Sequence, residues 1–181
     1  MATEHRDELT ALFVQHDCAD YKWIDPRNII LGQWVRMKCL FGCQKMGRHA
    51  SCPPNVPSIS ECREFFSEYE SGAVFHFEGR LERKEDRHDW AREVNQRLMG
   101  LERDVFLSGH ERAFMLFIHA CNICEDCVGV REECIHPRES RPTPEALGVD
   151  VYTTVRRLGY PIQVVRDYTD KMNRYSFLLI E

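Results

Sequence analysis

The sequence predicts an α+β (or α/β) fold, a two-layer sandwich in which helices cover a mixed sheet of about four strands and to which cysteine-rich loops are attached. From residue 71 onward, short apolar runs bounded by glycine or polar turns alternate with longer segments of helical spacing. The chain has 181 residues, which is enough for one domain with a substantial core. We therefore predict a single domain over 1–181, with a helical region over 1–70 and a β-α-β-(cysteine loop)-α-β-β core over 71–181.

In the first half of the chain, the spacing of apolar residues predicts an amphipathic helix over Glu4–His16. Asp25-Pro26 marks a turn, and Ile29–Met37 is predicted to be extended. A second helix is predicted over Ser58–Tyr69, with Phe65 and Phe66 on its buried side.

In the second half, Gly72 and Gly79 bound a buried strand over Ala73–Phe77. The next predicted helix, over Asp86–Ser108, combines an apolar stripe with a charged, solvated face. A later helix takes Thr143 as its N-cap and stops at Gly159. The remaining predicted elements are a strand over Arg112–His119, a helix to about Leu158, strands over Pro161–Val165 and Ser176–Ile180, and a polar turn over Asp170–Asn173.

Composition narrows the function classes. Hydrophobic residues make up 43% and charged residues 29%, as in ordinary soluble proteins. A net charge of -5 argues against nucleic acid as the main partner, because phosphate contacts need a positive face. Met1–Leu12 lacks the apolar core of a secretory signal, and no stretch approaches the length of a membrane span. We expect a cytoplasmic protein that does not bind membranes.

Nine cysteines in a chain without an export signal indicate metal or redox chemistry more than disulfides. Four of them, Cys121, Cys124, Cys127 and Cys134, fall in one short loop directly after an apolar run. Two CxxC steps that share a central cysteine bring three thiolates to one face of a tight turn, where backbone amides can stabilise their charge. This pattern favours an iron–sulfur cluster, with zinc as the alternative because zinc more often takes two separated pairs.

The spacing departs from that of bacterial ferredoxins, where the fourth cysteine follows three residues after the third and precedes a proline. Here Cys134 comes later and the proline is Pro137. Cys134 therefore either completes the same cluster or reaches a neighbouring one.

A second group consists of Cys39, Cys43 and Cys52, in a loop shaped by Gly42, Gly47, Pro53 and Pro54. These three thiols are predicted to form a second metal site that lacks one ligand. His49 is a candidate for the missing ligand, although a solvated loop histidine is the commoner case. Cys62 is interpreted as a helix-face residue and Cys18 as a small, partly buried side chain.

The ligand count leads to the central hypothesis. The group of four cysteines would saturate one [4Fe–4S] cluster suited to electron transfer. The group of three would hold a second cluster and leave one iron open as a Lewis acid for a substrate or for a partner's ligand. If Cys134 instead joins the group of three, that group is saturated and the other is open.

Polar residues near the cysteines have candidate roles as well. Two flanking histidines are interpreted as a hydrogen-bonding partner of the site (His136) and a satisfied strand-end residue (His119). Glu125 and Asp126 lie between ligands, where they would face solvent and steer a redox partner. The cations that would balance thiolate charge or bind a small anionic substrate are Arg48, His49, Arg138 and Arg141, although charge balance or simple solvation is the commoner role for each.

The joint pattern resembles a known family. The matching segments are Lys38-Cys39-x3-Cys43 with Ser51-Cys52-Pro53-Pro54, Cys121-x2-Cys124-x2-Cys127 with Glu133-Cys134-x-His136-Pro137, and Arg141-Pro142-x-Pro144-Glu145-Ala146-x-Gly148-Val149-Asp150-Val151. They resemble the cysteine-rich predicted metal-binding proteins called domain of unknown function 2284, found mostly in anaerobic bacteria and archaea, over most of the chain after about Ile30. The resemblance implies binding of iron–sulfur clusters or another metal, with no assigned reaction.

Three function classes remain open from the sequence. The first is a redox protein or an iron–sulfur enzyme, either an oxidoreductase or a Lewis-acid enzyme. The second is a zinc-stabilised interaction module without catalysis. The third is an iron–sulfur carrier or maturation factor, which would hand on a cluster held by the three-cysteine site.

Overall fold

The structure, a computed structural model, describes residues 2–81, 83, 85–167 and 170–181. It confirms the α+β class. The helices of the described chain are α1 (Ala2–Gln15), α2 (Gln33–Gly42), α3 (Ile59–Ser67), α4 (Asp86–Leu107) and α5 (Val151–Arg157), with short 3-10 helices at Pro26–Asn28 and Glu145–Leu147. The strands are β1 (Tyr21–Ile24), β2 (Gly72–Gly79), β3 (Phe114–Leu116) and β4 (Met172–Leu179).

The four strands form one sheet in the order β1-β2-β4-β3. Every neighbouring pair is antiparallel, so the prediction of a mixed sheet is wrong. As the predicted β-α-β order implies, β2 and β3 run in the same direction. The final strand β4 lies between them and is antiparallel to both, so no parallel pair forms.

Helices cover both faces of the sheet, which gives three layers where the sequence predicts two. In β2, Phe75 faces the cluster that contains residues of α1 and α4, whereas Val74 faces the cluster that contains residues of α3 and α5. Because successive side chains of a strand point to opposite faces, a strand that is apolar at both positions requires cover on both sides. The buried, near-continuous apolar run of β2 is therefore the signal for three layers.

Two predicted elements have a different conformation. The segment predicted as extended contains α2, which begins after Gly32 and is held by the Arg36 guanidinium, a donor to the carbonyls of Pro57 and Ala146 (both 3.0 Å). The helix predicted from Thr143 is interrupted because Gly148 adopts a left-handed conformation (φ 81°). Helix α5 starts afresh after that break and ends before Gly159, as predicted.

The strand predicted over Pro161–Val165 is not a strand. Both hydrogen-bonding edges of β4 are taken, one by β2 and the other by β3, so this segment finds no free edge there. The predicted polar turn is instead partly strand, since β4 begins at Met172. The edge strand β1, which the sequence analysis missed, has four residues with an exposed lysine in second place, too short for the alternation to be recognised.

This framework brings the cysteine segments together. Strand β3 leads into the loop that carries the later cysteines, while α2 leads into the loop that carries the earlier ones. Among the described helices, none combines the length and the apolar character that crossing a membrane requires.

Candidate metal centre

The three-cysteine group is built around the end of α2. Cys39 lies in its last turn, and the amide of Cys43, the C-cap residue, donates to the Cys39 carbonyl at 3.3 Å. Residues four apart share one side of a helix, so this turn presents two thiols together. Cys52 follows in a turn closed by its amide, which donates to the His49 carbonyl at 3.1 Å.

Cys52 is the thiol that joins the two predicted groups. Burial raises its pKa to about 12, and the charges of Cys39 and Cys43 from its own group and of Cys121 and Cys127 from the other group act in the same direction. Thiolates this crowded cannot all carry negative charge unless a cation compensates them, and a coordinated metal does so.

The other three cysteines of the four-cysteine group lie within electrostatic range of Cys124. The pKa of Cys124 is raised by burial and by the neighbouring charges of Cys121, Cys127 and Cys134. Although Cys134 stands farther along the chain than the fourth cysteine of a ferredoxin does, it lies within electrostatic range of Cys124. Its position favours the partition in which it completes the group of four.

Backbone and side-chain hydrogen bonds hold the two cysteine loops against each other. The amide of Ala50 in the first loop donates to the Cys127 sulfur of the second at 3.4 Å. The Asn55 side-chain amide donates to the carbonyl of His49 in its own loop at 3.1 Å and to that of Gly129 in the other at 2.8 Å. The seven cysteines therefore occupy one continuous region of the protein.

Helix α4 fixes the entry to the second loop. The Asn95 side chain, which is buried, donates to the Oδ1 of Asn122 at 3.2 Å and to the carbonyl of His119 at 3.4 Å. Arg92 adds a bond from Nε to the Asn122 carbonyl at 3.0 Å. Cys121 lies between these anchored residues, so its position depends on the helix rather than on its own loop alone.

A buried ion pair fixes the exit from the second loop. The Arg141 Nε lies 2.9 Å from the Oε1 of Glu102, whose side chain is 6% exposed, and the same oxygen accepts from the Met115 amide at 3.2 Å. Burial raises the pKa of Glu102, and the positive charge of Arg141 opposes that shift. Arg141 is therefore already paired with a core carboxylate.

The other candidate polar residues have varied surroundings. Burial lowers the pKa of His49, and its Nδ1 is buried without a hydrogen-bond partner among the described residues. Burial also lowers the pKa of His119 to about 4. His136 Nδ1 lies 3.2 Å from a carboxylate oxygen of Glu139. The exposed candidates are Arg48, Arg138, Glu125 and Asp126.

All nine cysteines are free thiols. Cys18 and Cys62 lie in the two hydrophobic clusters, 2% and 1% exposed. Burial raises the pKa of Cys18 to about 12 and also raises that of Cys62, so neither is a reactive thiolate at neutral pH. Their positions agree with the interpretation of both as packing residues.

The donor set fits a thiolate-bound metal group. Soft thiolate ligands select zinc, copper(I) and iron–sulfur clusters, and the orphaned Nδ1 of His49 beside them is a further donor. Within the described ranges, no set of three or more His, Cys, Asp or Glu side chains is already arranged around a position for one metal ion. The roles of Cys39, Cys43, Cys52, Cys121, Cys124, Cys127 and Cys134 as ligands therefore stay a prediction.

Sequence reasoning missed the residues that the fold brings to the cysteines from elsewhere. A cavity of about 210 Å³ beside the three-cysteine group is also lined by Arg87 of α4, Glu145 of the 3-10 helix and Arg174 of β4. The negative charge of Glu145 contributes to raising the pKa of Cys39, after burial and Cys43. No local pattern marks Arg87 or Arg174, and the motif that contains Glu145 gives no sign of its place beside the cysteines, because each residue reaches the site from a distant element.

The comparison with known proteins agrees with this geometry. The model of a family described as predicted metal-binding protein, domain of unknown function 2284, matches residues 22–180. The chain belongs to this family. The match to domain of unknown function 2284 confirms the resemblance seen in the cysteine motifs, and it makes the chain a predicted metal-binding protein without an assigned reaction. No curated protein and no solved structure matches it.

Replacing Asn55 with alanine is expected to loosen the contact between the two cysteine loops. The change removes two hydrogen bonds, at about 1 kcal/mol each, so the free energy of unfolding should fall by roughly 2 kcal/mol. Denaturant unfolding measures this loss, and hydrogen exchange should accelerate over residues 47–55 and 127–131. Asn28→Ala is the matched control, because Asn28 is exposed and its side chain makes no hydrogen bond within the described chain. Equal effects of the two substitutions would contradict the role of Asn55.

Proposed function

We propose that this chain is an iron–sulfur redox protein with two adjoining centres. Cys121, Cys124, Cys127 and Cys134 would hold one [4Fe–4S] cluster. The group of Cys39, Cys43 and Cys52 would hold a second and leave one of its irons without a cysteine ligand. When bound, such groups supply electron transfer and, at an open iron, a Lewis acid.

The observation that carries the proposal is the meeting of the two groups at Cys52. Its thiol is within electrostatic range of two cysteines from each group, and the loops are joined by Ala50 and Asn55. Adjoining centres suit a protein that passes electrons from one to the other over a short distance. Separate structural zinc sites, by contrast, have no need to adjoin.

The chain also supplies residues that would tune such a centre. Amide-to-sulfur hydrogen bonds and burial set the potential of iron–sulfur groups. The Ala50 amide already donates to the Cys127 sulfur, and Cys52 is partly buried. At the surface, Glu125 and Asp126 are exposed beside the four-cysteine group, where they would attract a positively charged redox partner.

One observation favours a zinc-stabilised interaction module as the second candidate. Helix α2 exposes large apolar side chains around Cys39, with Phe41 78% and Trp34 51% exposed. Exposed apolar surface of this kind is typical of contacts with other proteins. In this alternative the metal only stiffens the loops, and the helix face carries the function.

Anaerobic purification separates the two candidates. We expect a coloured protein with about eight irons per chain, or about four if one cluster is bound, together with matching acid-labile sulfide. Spin-resonance spectra of the reduced protein count the clusters. Cys62→Ala is the control, because this buried thiol lies outside both groups and its loss should leave the iron content unchanged. A colourless protein with stoichiometric zinc would end the iron–sulfur proposal.

A further inference from the structure

The cavity beside the three-cysteine group is lined by several basic side chains. Cys39, Cys43 and Cys52 line it together with Arg87 and Arg174, which reach it from α4 and from β4. Lys45 adds a third positive charge, and Glu145 is the only acid among its described lining residues. The cavity therefore carries a positive excess next to the thiols.

Neither guanidinium is neutralised by the described part of the chain. The side chains of Arg87 and Arg174 make no ion pair or hydrogen bond to any described residue, whereas the Arg141 side chain is held by Glu102. The Nε of Arg87 is buried without a partner. Burial lowers the pKa of Arg87, and the neighbouring charge of Arg174 lowers it further. Two like charges that face one cavity, neither with an ion-pair partner among the described residues, are costly, and a bound anion removes that cost.

The size and connections of the cavity limit the ligand. Its volume of about 210 Å³ is below the roughly 300–1,000 Å³ of sites for drug-sized molecules, so it fits a small anion. A wider groove of about 570 Å³ shares Arg87, Glu145 and Arg174 with the cavity and gives an approach from solvent. The two guanidiniums therefore lie where the small cavity meets the groove.

We propose that Arg87 and Arg174 bind a small oxyanion, a carboxylate or phosphate group, and hold it beside Cys39, Cys43 and Cys52. Guanidinium groups suit this task because their planar donors bind two oxygens of one anion at once. The proposal of an anion-binding site depends only on the two arginines and not on the proposed function. The further step, that the anion is the substrate of the three-cysteine centre, rests on the proposed function.

The test is a calorimetric titration of the anaerobically purified full chain with malonate and, separately, with inorganic phosphate. We expect one of these probes to bind, and which of them binds distinguishes a carboxylate ligand from a phosphate ligand. Arg87→Gln and Arg174→Gln should each weaken binding at least tenfold. Arg103→Gln is the matched control, since Arg103 is an exposed residue of the same helix about 24 Å along it from Arg87 and should bind as the unmodified chain does. Absence of binding by both probes, or an equal loss in the control, overturns the proposal.

A second measurement needs no substitution and covers the case in which a variant does not fold. Phenylglyoxal modifies accessible arginines, and mass spectrometry locates the modified residues. The probe that binds should protect Arg87 and Arg174 and leave Arg103 reactive. Modification of all three at unchanged rates with the probe present would contradict the site.

Metal analysis of the same samples keeps the two proposals apart. If a colourless zinc protein binds the probe through these arginines, the anion site stands and the iron–sulfur function fails. If the protein holds iron and sulfide but binds neither probe, the iron–sulfur function stands and the anion site fails. If both stand, the probe should also shift the spin-resonance signal of the reduced protein, and this shift should be absent in Arg174→Gln. An unshifted signal would separate the anion from the three-cysteine centre.

Discussion

Replacing Cys124 with alanine is expected to remove about half of the bound iron and to lower the melting temperature by roughly 10 °C or more. Cys124 lies within electrostatic range of the other three cysteines of its group, so its loss should open the proposed centre in the loop that follows β3. Because a metal group that binds only the folded chain stabilises it, several kcal/mol should be lost with the cofactor. Iron analysis and thermal unfolding under anaerobic conditions measure both effects.

Cys18→Ala and Cys62→Ala are the controls for this result. Each removes a buried thiol from a hydrophobic cluster, so each should cost some stability while leaving the iron content at the level of the unmodified chain. Cys52→Ala is expected to affect both centres, since Cys52 neighbours cysteines of each group. Full iron content in Cys124→Ala, or loss of iron in Cys62→Ala, would show that the ligands are assigned wrongly.

Replacing Arg141 with leucine is expected to cost about 3–5 kcal/mol of folding free energy, because it leaves the buried carboxylate of Glu102 unpaired. The cost should depend on pH. Burial already raises the pKa of Glu102 above its ordinary value of 4.5, and the charge of Arg141 opposes this shift. Without Arg141 the pKa of the folded state rises further, so the folded protein binds the proton more tightly than the unfolded chain over a wider range. Stability is then retained at low pH and lost as the pH rises through the folded-state pKa.

Denaturant unfolding at several pH values measures this effect. The deficit of Arg141→Leu relative to the unmodified chain should be smallest near pH 4.5 and should grow toward neutral pH. The double variant Glu102→Gln/Arg141→Leu should remove this pH dependence, because glutamine does not titrate and its side-chain oxygen can still accept the Met115 amide. A deficit that is independent of pH would show that Arg141 acts through packing or through its bonds to carbonyl groups.

The local sequence was sufficient for the longer elements. Helix α4 has a clear apolar stripe, and the N-cap of α3 is Ser58, whose side chain forms a capping box with Glu61. Both were predicted within a residue or two. The extended prediction for the segment that contains α2 was wrong, because that helix depends on Arg36 and its contacts with two distant carbonyl groups. The prediction of one continuous helix from Thr143 to about Leu158 is wrong because Gly148 adopts a left-handed conformation that divides it, and the presence of a glycine does not by itself fix the sign of its φ.

The two cysteine groups and the family can be recognised from the sequence, because the ligand spacing and the residues around each ligand are local features of a chain segment. The folded structure is needed to see that these groups adjoin at Cys52, and that Arg87 and Arg174 lie beside one of them with no ion-pair partner among the described residues. The physical reason is that the position of β4 between β2 and β3, and the contacts of α4 with the cysteine loop, are set by pairing between segments far apart in the chain. Such contacts leave no periodic signal in the sequence, and they are what turns separate motifs into a site.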